Sequence, residues 1–303
     1  MPYALTIHTG YALGSLAARL PSERKRVVNT NLRLCFPQLS PTEIDALAVA
    51  HWRLLGRSVV ERSRIWMGSP QQISAMVDIK AEIQLGDRKP RLLITPHFVG
   101  IEGGILALGA LALDHDLPKG TGLYQNMKNP FFNQKIIQWR ERFGGRSIAR
   151  QNRLRDLLRE IEAGNFVFIA PDIDLGPKDS VFVPFFGIQT NTVTSVSRLA
   201  KMAQAEVCLM VTALKPDQSS YICSISKPIE GFPSEDPIAD TARLNQLYEQ
   251  EILKNPAEYY WIHKRFKHRP NGEPSLYSST WQRNLRAKFA LPKCMVLAMT
   301  LLS

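Results

Sequence analysis

Between residues 91 and 226, short apolar runs alternate with stretches of helical periodicity, and few folds accommodate that order. The runs at 91–95, 120–124, 147–149, 166–170, 206–213 and 221–226 are strand-sized and bounded by turn residues. Segments at 130–143, 153–163 and 192–204 have the length and spacing of helices. Strands joined through helices pair in parallel, because the crossover returns the chain to the same end of the sheet. The reading is an α/β fold: a mainly parallel or mixed central sheet flanked by helices. The last two runs are separated only by a turn around Lys215-Pro216-Asp217 and predict a hairpin; a further helix follows at about 241–253.

The first 76 residues read as helical. Ser40-Pro41-Thr42-Glu43 supplies an N-cap, a proline at the first helical position and an acid at the third. The helix it opens places Trp52, Leu55, Val59 and Trp66 on one apolar face, with Arg53, Arg57, Glu61 and Arg64 opposite. That polar face suits solvent or a phosphate group. Residues 3–20 are the nearest approach to a membrane span. Thr6, His8, Thr9, Ser15 and Arg19 dilute them below the ~20 predominantly apolar residues a span needs. The stretch also lacks the basic start of a signal peptide.

No linker or repeat interrupts the 303 residues, so one compact unit is expected. It divides into a helical, membrane-proximal segment (1–76), an α/β core (77–277) and a tail (278–303). In the tail, Arg283, Arg286, Lys288 and Lys293 precede a short apolar run at 295–302. A net charge of +11 implies an anionic partner, either nucleic acid or an anionic membrane surface. Cys35, Cys208, Cys223 and Cys294 are scattered without metal-binding spacing, which argues against zinc and a disulfide framework.

The sharpest chemical feature is Leu92-Leu93-Ile94-Thr95-Pro96-His97-Phe98-Val99-Gly100-Ile101-Glu102-Gly103-Gly104. A buried strand ends at Pro96 and a helix begins after Gly100, so His97 falls at the strand's C-terminal end, where open α/β sheets place ligands. His97 has the character of a general base, and Glu102 in the first helical turn is expected to orient it. No serine or cysteine nucleophile accompanies them, so the base would activate a substrate hydroxyl.

Asp172 and Asp174 follow another apolar run. Alone, such a pair suits a divalent metal or turn stabilisation; without a further acid cluster the metal reading is disfavoured, and no metal site is assigned. Residues 180–187 combine Pro184 with Phe182, Phe185 and Phe186 and read as a proline-bracketed aromatic loop, serving core packing or an apolar wall. His263-Lys264-Arg265-Phe266-Lys267-His268-Arg269 interleaves bases with an aromatic, a composition suited to nucleic acid or anionic headgroups.

Taken in order, several segments resemble the lipid A biosynthesis (lauroyl/myristoyl) acyltransferases, within the wider glycerolipid acyltransferase superfamily with its H-x4-D/E motif. They are Asn31-Leu32-Arg33-Leu34-Cys35-Phe36-Pro37, His97 to Glu102, Asn129-Pro130, Ala170-Pro171-Asp172-Ile173-Asp174-Leu175-Gly176, the 180–187 segment, Trp261 to Pro270 and Glu273-Pro274-Ser275-Leu276-Tyr277. The resemblance implies transfer of a fatty-acyl chain from an acyl carrier protein thioester to a hydroxyl of a phosphorylated lipid A precursor. It implies no cofactor beyond acyl-acyl carrier protein as co-substrate, and attachment, peripheral or through an N-terminal anchor, at the cytoplasmic face of the bacterial inner membrane. It also carries a supporting role to Arg140, with Arg142 as the alternative, and to Asp172 as a buttress of Arg140 or another cationic group. Asp174 is expected to be structural. No nucleic-acid module is present, so nucleic acid is not an expected partner. The rival readings are a glycerophospholipid or other lipid acyltransferase, and a non-catalytic basic membrane- or nucleic-acid-binding protein.

Overall fold

The protein is described by a computed structural model covering residues 2–149 and 154–278. The proposed tail beyond Ser278, including Cys294, and Arg153 lie outside the described residues. Four helices come first: α1 (Tyr3–Arg19), α2 (Glu23–Cys35), α3 (Pro41–Met67) and the short α4 (Pro70–Ser74). Then follow β1 (Val77–Ala81), β2 (Arg91–Ile94), α5 (Ile101–Asp114), β3 (Gly120–Tyr124), α6 (Pro130–Glu141), β4 (Arg146–Ala149), α7 (Leu154–Glu162) and β5 (Phe166–Ile169). The chain continues through β6 (Ser180–Phe185), β7 (Ile188–Val193), α8 (Ser195–Ala203), β8 (Glu206–Leu214), β9 (Tyr221–Pro228) and α9 (Pro237–Lys254).

Seven strands form one sheet in the order β1-β9-β8-β2-β5-β3-β4, in which only the β8–β9 hairpin is antiparallel. The central strands β2, β5 and β8 are buried on both faces. Leu92, Ile94, Val167 and Ile169 join a core with α2, α7, α8 and α9, while Leu93, Phe166 and Phe168 join a second core with α3 and α5. Alternate residues of these central strands thus feed opposite cores, and the strands read as continuous apolar runs. Cys35, Cys208 and Cys223 are buried free thiols in these cores.

Three expectations change. Residues 180–187 are not a loop: β6 and β7 form a separate antiparallel hairpin. Its turn is Phe186-Gly187, both at positive φ (50° and 73°), the conformation that matches strand twist in a two-residue hairpin. The expected 192–204 helix starts only at Ser195, since its first residues belong to β7.

Third, α3 has the predicted capping box at Ser40 and Glu43 but buries a different face. Its inward stripe is Ile44, Ala48, His51, Leu54, Arg57, Ser58, Glu61 and Ile65, whereas Val59 is exposed. This stripe was masked because its polar members satisfy one another. Arg57 Nε donates to Glu61 Oε1 at 2.7 Å; Tyr3 and Tyr221 hydroxyls donate to the same carboxylate at 2.8 and 2.5 Å. Arg57 and Glu61 therefore face neither solvent nor a phosphate.

Helix α1 crosses α3 at backbone contact. Its buried residues are Thr6, Gly10, Gly14 and Ala18, a stripe repeating every fourth residue. A Cβ on Gly14 would lie 2.2 Å from the Trp52 carbonyl oxygen, and one on Gly56 2.4 Å from that of Gly10. The outer face of α1 leaves Leu5, Leu13, Leu16 and Leu20 exposed. Among the described residues, no helix is long and apolar enough to cross a membrane.

Candidate active site

The site forms at the C-terminal ends of β2 and β5. These neighbours pair in parallel with Ile94 opposite Ile169, so His97 and Asp172 each stand three residues beyond a paired position. Equal overhang in a parallel pair brings them together. The backbone N–H of His97 donates to Asp172 Oδ2 at 2.8 Å, and the ring Nδ1 lies 2.6 Å from Asp172 Oδ1. Burial resists ionising Asp172, yet the His97 ring and backbone hold its carboxyl down at about 2. Asp172 is therefore a carboxylate and His97 Nδ1 carries the proton. For His97, burial opposes the imidazolium, but the Asp172 charge outweighs it and lifts the pKa above the usual histidine range. The imidazole side chain remains 29% exposed while Asp172 is sealed.

The segment after α9 locks this arrangement. Tyr260 N–H donates to the His97 carbonyl at 2.9 Å, Val99 N–H to the Glu258 carbonyl at 2.9 Å, and the Tyr259 hydroxyl to the Asp172 carbonyl at 3.2 Å.

The expected His97–Glu102 contact does not form. Glu102 sits in the first turn of α5 and faces Arg140 near the end of α6. Arg140 Nε and a terminal nitrogen donate to its two oxygens at 2.7 and 2.6 Å; Trp66 Nε1 adds a third bond at 3.1 Å. Burial alone would raise the Glu102 pKa, but the Arg140 fork overrides it and holds the group ionised. Trp66 and Trp139 stack at 5.1 Å beside the pair. The carboxylate on His97 is therefore Asp172 rather than Glu102, and the Arg140 partner is Glu102 rather than Asp172. Arg142 is elsewhere, donating to the Ile65 carbonyl at 3.1 Å.

Asp174 points away from Asp172. It accepts from His268 through the backbone N–H at 2.8 Å and Nδ1 at 2.7 Å, and from Gly176 and Asn191 at 3.1 Å each. The two carboxylates diverge onto separate histidines instead of converging on a common point. Burial pushes the intervening His263 down to about 4, so it is neutral, and its Nε2 accepts the Asp174 N–H at 3.3 Å.

The basic stretch at 263–269 is largely structural, contrary to its reading as a binding surface. Arg265 is buried, donating to the Asn191 carbonyl and Thr192 hydroxyl at 2.8 Å each. Lys264 pairs with Glu23 and Arg269 with Glu273, which leaves Lys267 exposed.

The family model of the bacterial lipid A biosynthesis acyltransferases matches residues 1–268, most of the chain. The chain belongs to that family. Similar relatives include a lipid A biosynthesis lauroyltransferase of Escherichia coli K12, 31% identical over 91% of this chain and 90% of its own. A palmitoleoyltransferase of the same organism is 29% identical over 91% and 90% of the two chains. A lipid A biosynthesis acyltransferase of Haemophilus influenzae is 31% identical over 91% and 89%. For this acyltransferase, the motif His97 to Glu102 contributes one member to each of two pairs, His97–Asp172 and Glu102–Arg140. Sequence reasoning missed Trp66 and Trp139. Trp139 adjoins Arg140, but nothing in the spacing of Trp66 announces its bond to Glu102.

Proposed function

We propose that this lipid A biosynthesis acyltransferase performs late acylation, moving a fatty-acyl chain from an acyl carrier protein thioester to a hydroxyl of a phosphorylated lipid A precursor. His97 Nε2 takes the hydroxyl proton while Asp172 holds Nδ1–H and stabilises the imidazolium that develops. The oxygen attacks the thioester carbonyl carbon, giving a tetrahedral oxyanion. Its collapse forms the ester and breaks the C–S bond; the departing thiolate recovers the proton from His97. Electrons and protons balance without a metal or cofactor. Arg140, fixed by Glu102 on two of its nitrogens, supplies positive charge for the oxyanion or for an anionic group of the substrate.

The observation that carries this reading is the pair of hydrogen bonds that His97 donates to Asp172, from its backbone N–H and from Nδ1–H, which fixes the tautomer and aims Nε2 outward. Peripheral attachment at the cytoplasmic face of the inner membrane completes it, with the leucine face of α1 meeting lipid. Mass spectrometry of lipid A from cells with and without the protein tests the function. A difference of one acyl chain is expected; an unchanged lipid A with altered phospholipids would contradict it. Purified protein given acyl-acyl carrier protein or acyl-coenzyme A tests the donor, with turnover expected from the carrier protein.

A further inference from the structure

A second concave site lies among the N-terminal helices. A cavity of about 830 Å³ opens between the end of α1, α2 and the middle of α3. Arg19, Lys25, Arg33 and Arg53 line it, with Asp45 as the acid among its lining residues. None of these four cations forms a salt bridge with a described carboxylate, whereas Arg57 is paired with Glu61 and Arg140 with Glu102. Arg53 only stacks on the Tyr11 ring at 5.1 Å. Two further lining residues keep shielded polar atoms without a hydrogen-bond partner, Asn29 Oδ1 and Trp52 Nε1.

A concave surface with an excess of three positive charges favours a compact anion. Several guanidinium forks and an unused indole N–H match the oxygens of a phosphate. The surroundings specify what carries the anion. Val49 lines the cavity and is 45% exposed; Leu16 and Leu20, flanking Arg19, are each 55% exposed. A cationic hollow bordered by apolar side chains suits an amphiphile with an anionic head. Arg53 precedes Trp66 by thirteen residues on α3, about 20 Å along the helix, so the hollow is separate from the Glu102–Arg140 pair.

We propose that the α1–α2–α3 cavity is a recognition site for the phosphate group of a membrane lipid. Arg33 and Arg53 take the phosphate oxygens, Lys25 and Arg19 add charge, and the leucines of α1 meet the hydrocarbon. This rests on the reading of the protein as an enzyme of phosphorylated lipids, but its test is binding rather than turnover, so the two fail separately. The phosphate could belong to the acceptor or to bulk phospholipid.

Flotation of the full chain with vesicles of phosphatidylcholine, alone or with phosphatidic acid, tests it. Phosphatidic acid should increase binding, and Arg33→Gln/Arg53→Gln should lower that binding roughly tenfold or more, the scale of losing charge-assisted hydrogen bonds. Lys267→Gln, which removes one exposed charge elsewhere, should change it little. Arg33→Lys keeps the charge and guards against misfolding; it should still lose several-fold, because an ammonium lacks the fork. A raised KM of the double variant for detergent-dispersed acceptor, at constant kcat, would assign the site to the acceptor's phosphate. An unchanged KM with lost flotation would assign it to bulk lipid. Wild-type flotation by the double variant, or full binding by Arg33→Lys alongside a Lys267→Gln loss equal to that of the double variant, would overturn the proposal.

Discussion

His97 and Asp172 overhang two adjacent parallel strands by the same three residues, and both carboxylate oxygens of Asp172 close on that one histidine. The orientation of the His97 ring is therefore set by sheet register, while the acid of the His97–Glu102 motif pairs with Arg140.

Removing either member of the His97–Asp172 pair should be costly. His97→Ala should lower turnover by roughly 10²–10⁴-fold, the usual contribution of a positioned base. Asp172→Asn should fall in the same range, and the double variant should lose little more, because the two act as a unit. Steady-state rates with acceptor and donor both varied check this. Multiplicative losses would separate the roles of the two residues.

Glu102 and Arg140 should behave differently. Their forked pair is only partly buried, the side chains being 17% and 36% exposed. Glu102→Ala leaves Arg140 and the Trp66 indole unpartnered and should cost roughly 1–3 kcal/mol of stability as well as activity. Trp66 and Trp139 report the change, since their stacking depends on the same corner. Denaturation followed by tryptophan fluorescence measures both, and an unchanged midpoint would remove the structural half of this role.

The close crossing of α1 and α3 makes its own forecast. Gly14→Ala would force a methyl against the Trp52 carbonyl, where the rigid helix backbone cannot yield. Overpacking of this kind costs about 1–3 kcal/mol. Thermal melting of Gly14→Ala beside Ala12→Gly, which alters an exposed α1 position, distinguishes the clash from helix propensity. Without a clash, Gly14→Ala would gain the propensity that Ala12→Gly loses, so a Gly14→Ala melting point at or above wild type would mean that α1 is not seated as described.

Stability should also depend on pH through the same pair. Asp172 is depressed to about 2, so its contribution is present above the ordinary aspartate range and is lost as pH falls toward 2. His97 is raised, so its contribution is full below the ordinary histidine range and is lost as pH climbs through its folded value. The pair therefore stabilises most in mildly acid solution. Urea midpoints across pH should show Asp172→Asn flattening both limbs; parallel curves would mean that the pair adds no pH-dependent stability.

Much of the sheet was legible because strands buried on both faces read as unbroken apolar runs. Leu92, Leu93 and Ile94 announce β2, and Phe166 to Ile169 announce β5. The β6–β7 hairpin was hidden because Pro184 and a turn with Phe186 at positive φ look like loop chemistry. On α3 the buried stripe carries His51, Arg57 and Glu61, polar residues that a reading by hydrophobic spacing assigns to solvent. His97, Glu102, Arg140 and Asp172 could each be named, but their pairing depends on which strands are neighbours. A five-residue interval suggested His97 with Glu102. Register between strands 75 residues apart puts Asp172 there instead.

The most direct test of Asp172 as the orienter is the pH dependence of kcat/KM for wild type, Asp172→Asn and Glu102→Gln. Nε2 must be neutral to accept a proton, so activity should fall on the acid side through a His97 pKa raised by Asp172. Asp172→Asn should move that acid limb to lower pH while reducing the plateau, and Glu102→Gln should reduce the plateau with the limb in place. A limb that moves with Glu102→Gln and stays fixed with Asp172→Asn would contradict the pairing and return the orienting role to Glu102.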